Sequence, residues 1–223
     1  MNFDDLLDDI LDLPNPQDII YQVQKTLDKE KKERLAFREW LTDDVKAEFI
    51  NGEIVMHSPV KRGHLDACGN LFRMLSTYVI AHKLGKVSTE KALIALKRND
   101  YEPDIAFWNN EQAKAFNNDT MIHPPPKLVV EVLSKSTQGR DRGVKYKDYA
   151  AHGIEEYWII NTKKQIIEQY ILAHKNDKEY SLLSKLKKNE TLESQAVKRF
   201  KIPVETVFSE EKSVAILSKL MKK

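Results

Sequence analysis

One cysteine, seven glycines and no apolar stretch approaching membrane-spanning length set the outer limits of this 223-residue sequence. A lone Cys68 excludes an intramolecular disulfide and a cluster of cysteines around a metal. A membrane helix needs about 20 consecutive apolar residues, and no such run occurs. Neither sign of charge dominates, since 36 basic and 34 acidic residues leave a net +2. Overall charge therefore makes no case for nucleic acid, and any such affinity has to come from local clusters. The start, Met1-Asn2-Phe3-Asp4-Asp5, is acidic where a secretory leader is basic, so a cytoplasmic location is expected. What is present is ordinary for a folded protein: 41% hydrophobic residues, enough for a sizeable core.

The chain reads as a short arm followed by one larger domain, divided at residues 1–39 and 40–223. In the arm, acidic residues alternate with Leu and Ile from Asp4 to Leu13. Pro14 and Pro16 then oppose a continuous helix, which predicts two helical pieces joined by a turn. The mixed-charge run from Lys29 to Arg34 reads as a solvated helix face, and the arm as a packing or dimerisation element.

Beyond Glu48 the pattern becomes mixed. Two short strand-like runs flank Asn51-Gly52, a strong hairpin signal. Apolar residues at helical spacing from Leu65 to Val79 predict a helix with one buried face, and Cys68 lies on it as a small core residue. Lys86–Lys97 and Glu102–Trp108 read as strands about a turn at Asn99-Asp100. Leu128–Leu133 reads as a strand buried on both faces. A helix is expected over Arg140–Ala151, two further strands over Glu156–Ile160 and Ile166–Ile171, and a short amphipathic helix over Glu210–Lys223. Strands arriving before, between and after two main helices make a mixed α/β core.

The informative residue is Glu131, alone among Val129, Val130, Val132 and Leu133. Burying an unpaired carboxylate costs several kcal/mol, so it calls for a partner, a metal ion or an opening to solvent. Asp104 repeats the theme in Pro103-Asp104-Ile105-Ala106. Two carboxylates held on neighbouring strands repel, and a bound cation removes that repulsion. An oxygen donor set suits Mg²⁺ or Mn²⁺, which points to metal-assisted phosphodiester hydrolysis. The plainer alternative pairs Glu131 with a lysine and leaves Asp104 capping a turn. Glu90, His64 and the run Ser134, Ser136, Thr137 are secondary candidates, each with an ordinary surface or capping role as the simpler reading. The remaining histidines show no transition-metal spacing. Arg140, Arg142, Lys145 and Lys147 form the best local basic cluster, suited to a nucleic-acid backbone or to a solvated face. Tyr157 and Trp158 read as core packing rather than base stacking.

These residues also carry a resemblance. Pro103-Asp104, the run from Pro125 to Thr137, Arg140–Lys145, Tyr149-Ala150, Gly153 and Glu156–Ile160, preceded by Asn51-Gly52-Glu53, Ser58-Pro59 and His64, resemble the Uma-two family of putative restriction endonucleases. The resemblance runs from about residue 40 to 208 and leaves the N-terminal arm outside. It implies a restriction-endonuclease-like fold, with a mixed central sheet flanked by helices, and a PD-(D/E)xK nuclease acting on DNA. It also implies that Glu53, Asp104 and Glu131 form the acidic, metal-binding set. The superfamily's lysine is expected two places after Glu131, where this sequence has Leu133. The family's alternative is a lysine on the following helix, here Lys145. Asp141, Lys145 and Tyr149 share a helix face at i, i+4 and i+8. Lys135 is the second candidate, on the same face as Glu131 if the strand continues. Double-strand cutting needs two sites or sequential nicks, which makes a homodimer a reasonable partner state. Two other classes stay open: a nucleic-acid-binding module that has lost cutting, and an interaction protein whose buried acids are satisfied by salt bridges.

Overall fold

A computed structural model describes residues 3–222; Met1, Asn2 and Lys223, named in the terminal readings above, lie outside it. Two helices open the chain, α1 (Phe3–Leu11) and α2 (Pro16–Trp40), separated by the Pro14-Asn15-Pro16 break. Asn51 and Gly52, both with positive φ (51° and 85°), form the hairpin turn between β1 (Ala47–Ile50) and β2 (Glu53–Met56). The long helix α3 (Arg62–Ala81) follows, then β3 (Gly85–Thr89), β4 (Leu93–Ala95), β5 (Asp100–Tyr101) and β6 (Ile105–Asn109). One turn of helix, α4 (Asn110–Ala113), and β7 (Ile122–His123) lead to β8 (Leu128–Val132). The helices α5 (Gln138–Asp141) and α6 (Val144–Ala151) then precede β9 (Glu156–Asn161), β10 (Ile166–Ile171) and β11 (Ser181–Leu186). The chain closes with β12 (Thr191–Glu193), β13 (Lys201–Pro203), a 3-10 turn at Val204–Val207, α7 (Glu210–Ala215) and α8 (Leu217–Leu220).

The strands form a six-stranded sheet, β11-β10-β9-β8-β6-β3, a five-stranded sheet, β2-β1-β5-β4-β7, and the small β12-β13 ribbon. β8 runs parallel to β9 and antiparallel to β6, so the large sheet is mixed at its centre. Alternate residues of its central strands face opposite cores, as the period of two requires. Ile105, Phe107, Val130, Val132, Trp158 and Ile160 pack with α3 and the C-terminal segment. Ala106, Trp108, Val129, Tyr157 and Ile159 pack with Tyr149 and Ala150 of α6 and with Ile94 and Tyr101 of the second sheet. Among the described residues, no helix is long and apolar enough to cross a membrane.

The helix read over Glu210–Lys223 is two short pieces, α7 and α8, and three further elements also differ from the sequence expectation. The strand expected over Lys86–Lys97 is cut in two, because Glu90 and Lys91 take left-handed backbone (φ 48° and 45°) and send β3 and β4 into different sheets. The turn expected at Asn99-Asp100 lies one step earlier, closed by Leu96 N–H on the Asn99 carbonyl (2.9 Å), and Asp100 already pairs as β5. The helix expected over Arg140–Ala151 breaks at Gly143 into α5 and α6. Gly85 is fixed by space: a Cβ there would stand 1.9 Å from the Trp108 carbonyl oxygen.

The N-terminal helices divide by exposure. From residue 17 to 29 the chain is exposed, whereas Glu30 and Phe37 are buried against the domain. Asp100 is fully buried and receives two guanidinium forks. Arg38 donates through Nε (2.8 Å) and Nη2 (2.7 Å), and Arg34 through Nε (2.9 Å). Arg34 also donates to the carbonyls of Leu96, Lys97 and Asn99. Such bidentate, charge-assisted bonds fix orientation as well as attraction. The expected division at residues 39 and 40 coincides with the end of α2, but docking onto the sheet starts nearer Glu30.

Candidate metal and phosphate cleft

The antiparallel register of β6 and β8 pairs Ile105 with Val130. Asp104, one residue before β6, therefore stands level with Glu131 on β8. Asp104 is tied to β8 through the residue after Glu131, because the Val132 N–H donates to Asp104 Oδ2 at 2.7 Å. Both line a cleft of about 500 Å³ between the β2–α3 connection and the loop after β8.

Lys145 reaches this point from the first turn of α6. It is 2% exposed, and its Nζ lies 2.9 Å from Glu131 Oε1, 2.7 Å from Glu48 Oε1 and 3.8 Å from Asp141 Oδ1. Tyr149, one turn further along the same face, donates its hydroxyl to Glu131 Oε1 at 3.0 Å. The helix face read from sequence thus meets the acidic strand end, even though the helix starts later than expected. Lys135 is exposed in the loop after β8 and does not line the cleft.

Glu53 is not brought to the site. It is the first residue of β2, opposite Ile50 at the hairpin turn, and it is exposed on the outer strand of its sheet. Glu48 on the inner strand β1 takes the place beside Lys145. It is 1% exposed, accepts the Glu102 N–H at 3.0 Å and stands 3.6 Å from His57 Nε2. The sequence did hold a signal for Glu48: a carboxylate inside Ala47-Glu48-Phe49-Ile50, the same anomaly that singled out Glu131.

Charge does not balance here. Four buried carboxylates, from Glu48, Asp104, Glu131 and Asp141, face one lysine ammonium. Burial pushes the Glu131 carboxyl well above its ordinary range, against the pull of Lys145. Burial also raises Asp141, to about 6, with Lys145 and Thr137 acting in the opposite sense. Burial alone would hold Lys145 down, yet its carboxylate neighbours, Glu131 foremost and then Glu48, raise it well above its usual value. Asp104 goes the other way from its burial, because the His64 contact and the Val132 N–H hold it below the usual aspartate range. His64 Nε2 sits 3.2 Å from Asp104 Oδ1, from the first turn of α3.

The basic cluster read from sequence is dispersed. Lys145 is buried, Lys147 is exposed, and Arg142 pairs with Glu168 at 2.6 Å. Arg140 remains on the cleft wall with a buried Nε that has no hydrogen-bond partner. Lys46 lies on the same wall, as does Glu90, its partner at 3.4 Å. Ser134, Ser136 and Thr137 also line the cleft, and they bond among themselves as a turn.

Three comparisons bear on this arrangement. A solved structure titled as a putative nuclease belonging to DUF820, from Anabaena variabilis, superposes with a TM-score of 0.64 over 82% of this chain and 97% of that one, at 14% identity. That likeness establishes the fold. An uncharacterized protein of Synechocystis sp., sll1609, is 30% identical over 127 residues, 56% of this chain and 71% of the relative. The profile of the Uma2 family, described as "Putative restriction endonuclease", matches residues 34–205, from the docked half of α2 to the 3-10 turn that follows β13. The chain therefore belongs to the Uma2 family.

Proposed function

We propose that this protein is a divalent-metal-dependent endonuclease that hydrolyses DNA phosphodiester bonds in the cleft at the head of β6 and β8. The observation that carries the reading is the meeting of Asp104, Glu131 and Lys145, from two adjacent strands and a helix, at the floor of one open cleft. The surplus of buried carboxylate over lysine is the test of fit for a cation: four acids around one ammonium leave negative charge that a proton or a metal ion must offset. Asp104 and Glu131 would hold Mg²⁺ or Mn²⁺, and Glu48 takes the third acidic role that the family resemblance gave to Glu53. Bound there, such an ion lowers the pKa of a water and polarises the phosphoryl group.

The chain's own groups do the rest. Lys145 orients the attacking water or the scissile phosphate, held in place by Glu48 and Glu131. Tyr149 fixes the Glu131 carboxylate from the side facing the core. Arg140, with its unpartnered Nε, and Lys46 supply positive charge on the cleft wall for the backbone. The near-neutral total charge makes non-specific DNA binding weak. A homodimer would present two such clefts, with the exposed apolar side chains of α1 and α2 as the contact.

The test is conversion of supercoiled plasmid to nicked circle in Mg²⁺ or Mn²⁺. Wild type is expected to nick, while Asp104→Asn and Glu131→Gln, folded by circular dichroism, are expected to lose at least about a hundredfold in rate. One observation favours a second reading, a nuclease fold that binds without cutting: Lys145 is almost fully buried and already held by two carboxylates. Absence of nicking on any DNA or RNA, with retained binding, would establish that reading instead.

A further inference from the structure

Where the start of α3 crosses the head of β6, three donor atoms of different chemistry come together. His64 and Cys68 are four residues apart on α3 and so share a helix face. Asp104 faces them from the sheet. A ring nitrogen of His64, the Cys68 sulfur and a carboxylate oxygen of Asp104 all lie within 4.8 Å of one another, and all three residues are buried. The fold leaves His64 incompletely used. Only 7% of it is exposed, its Nε2 meets Asp104, and its Nδ1 is buried with no hydrogen-bond partner. Buried polar atoms without partners are uncommon in folded proteins.

We propose that His64, Cys68 and Asp104 form a mixed nitrogen, sulfur and oxygen site for a borderline transition-metal ion of the Zn²⁺ class. A thiolate and an imidazole select Zn²⁺ or Co²⁺ over Mg²⁺, whose preference is for oxygen alone. Three protein ligands with a fourth position open is a common zinc arrangement. His64 and Asp104 both line the cleft, which gives an ion access to them. Zinc bond lengths place tetrahedral donor atoms about 3.5 Å apart. The present donor atoms, all within 4.8 Å of one another, must therefore draw together to bind an ion. In the free protein, burial and the neighbouring carboxylates keep the Cys68 thiol protonated, so the ion replaces that proton when it binds.

Asp104 belongs to both donor sets, so a zinc-class ion and Mg²⁺ compete. That competition rests on the nuclease reading; the zinc-class site itself does not.

Co²⁺ titration of the metal-free full-length protein is the direct probe. Wild type is expected to show intense visible bands of tetrahedral cobalt and a near-ultraviolet thiolate-to-cobalt charge-transfer band, both bleached by Zn²⁺. Cys68→Ser is expected to lose the charge-transfer band and at least about tenfold in Co²⁺ affinity. Cys68→Ala gives the same readout if the serine hydroxyl unfolds the helix. Glu131→Gln is expected to keep the cobalt spectrum while losing Mg²⁺-dependent nicking, which separates this site from the nuclease reading. A folded wild type with no charge-transfer band, or a band that survives loss of the Cys68 sulfur, overturns the proposal.

Discussion

At the scale of single residues, the cleft is an exercise in satisfying buried charge. Lys145 places its ammonium among Glu48, Glu131 and Asp141, so its removal strands three buried carboxylates. Lys145→Met is expected to cost about 3–5 kcal/mol in urea denaturation, the usual consequence of breaking one side of a buried pair. Adding Glu48→Gln to that variant should recover part of the loss, since it removes one stranded charge; an additive or larger loss would contradict the pairing. Glu102, whose N–H bonds Glu48, gives a separate pH signature. Burial raises its carboxyl to about 7 from an ordinary 4.5. The folded state therefore holds this proton more tightly than the unfolded one. Its contribution is fully present below about 4.5 and is lost as pH rises towards 7. Glu102→Gln should flatten the stability profile across that window, and an unchanged slope would show that the carboxyl does not govern it.

Residues also show how much the sequence revealed. Glu131 and Asp104 were legible because each interrupts an apolar run, and the structure brings both to the cleft. Lys145 was legible through the family resemblance, and the helix face it shares with Asp141 and Tyr149 agreed with it. Glu53 was carried by a motif, and motif position does not say which strand of a hairpin is interior. That depends on β1 pairing with β5, a contact between residues about fifty positions apart. Glu48 interrupts an apolar run as Glu131 does, and was passed over because the motif pointed to Glu53.

At the scale of elements, turn chemistry and hydrophobic period placed the hairpin, α3, β8, β9 and β10. The left-handed pair Glu90-Lys91, which divides a strand between two sheets, has no such signature, because neither residue is a usual turn former. The hairpin itself is closely fitted. A Cβ on Gly52 would lie 3.0 Å from Glu30 Cγ, and its φ of +85° is unfavourable for any other residue. Gly52→Ala is thus expected to lower stability by about 1–2 kcal/mol and to loosen α2 where Glu30 docks, read as faster amide exchange around Glu30. Unchanged exchange there would separate the hairpin from the helix. Native-state exchange should in any case divide α2 near Glu30, fast before it and slow through Arg34 and Arg38, where Asp100 clamps the helix.

At the scale of the whole molecule, β6 and β8 of the large sheet position Asp104 and Glu131, β1 of the second sheet carries Glu48, and α6 brings Lys145 to them. The exposed apolar residues of the N-terminal arm, Leu6, Leu7 and Leu11 of α1 and Ile20, Tyr21 and Val23 of α2, form more apolar surface than a lone helical arm needs. Sedimentation is expected to give a dimer, and Ile20→Glu with Val23→Glu a folded monomer. A wild-type monomer at tens of micromolar would remove the arm from the dimer account. The function turns on whether the cleft holds a metal ion. Crystals soaked in Mn²⁺ and measured for anomalous scattering address it most directly. The account predicts one strong peak bonded to carboxylate oxygens of both Asp104 and Glu131, with Lys145 still beside Glu131. A peak bound elsewhere, or none at a saturating concentration, would contradict it.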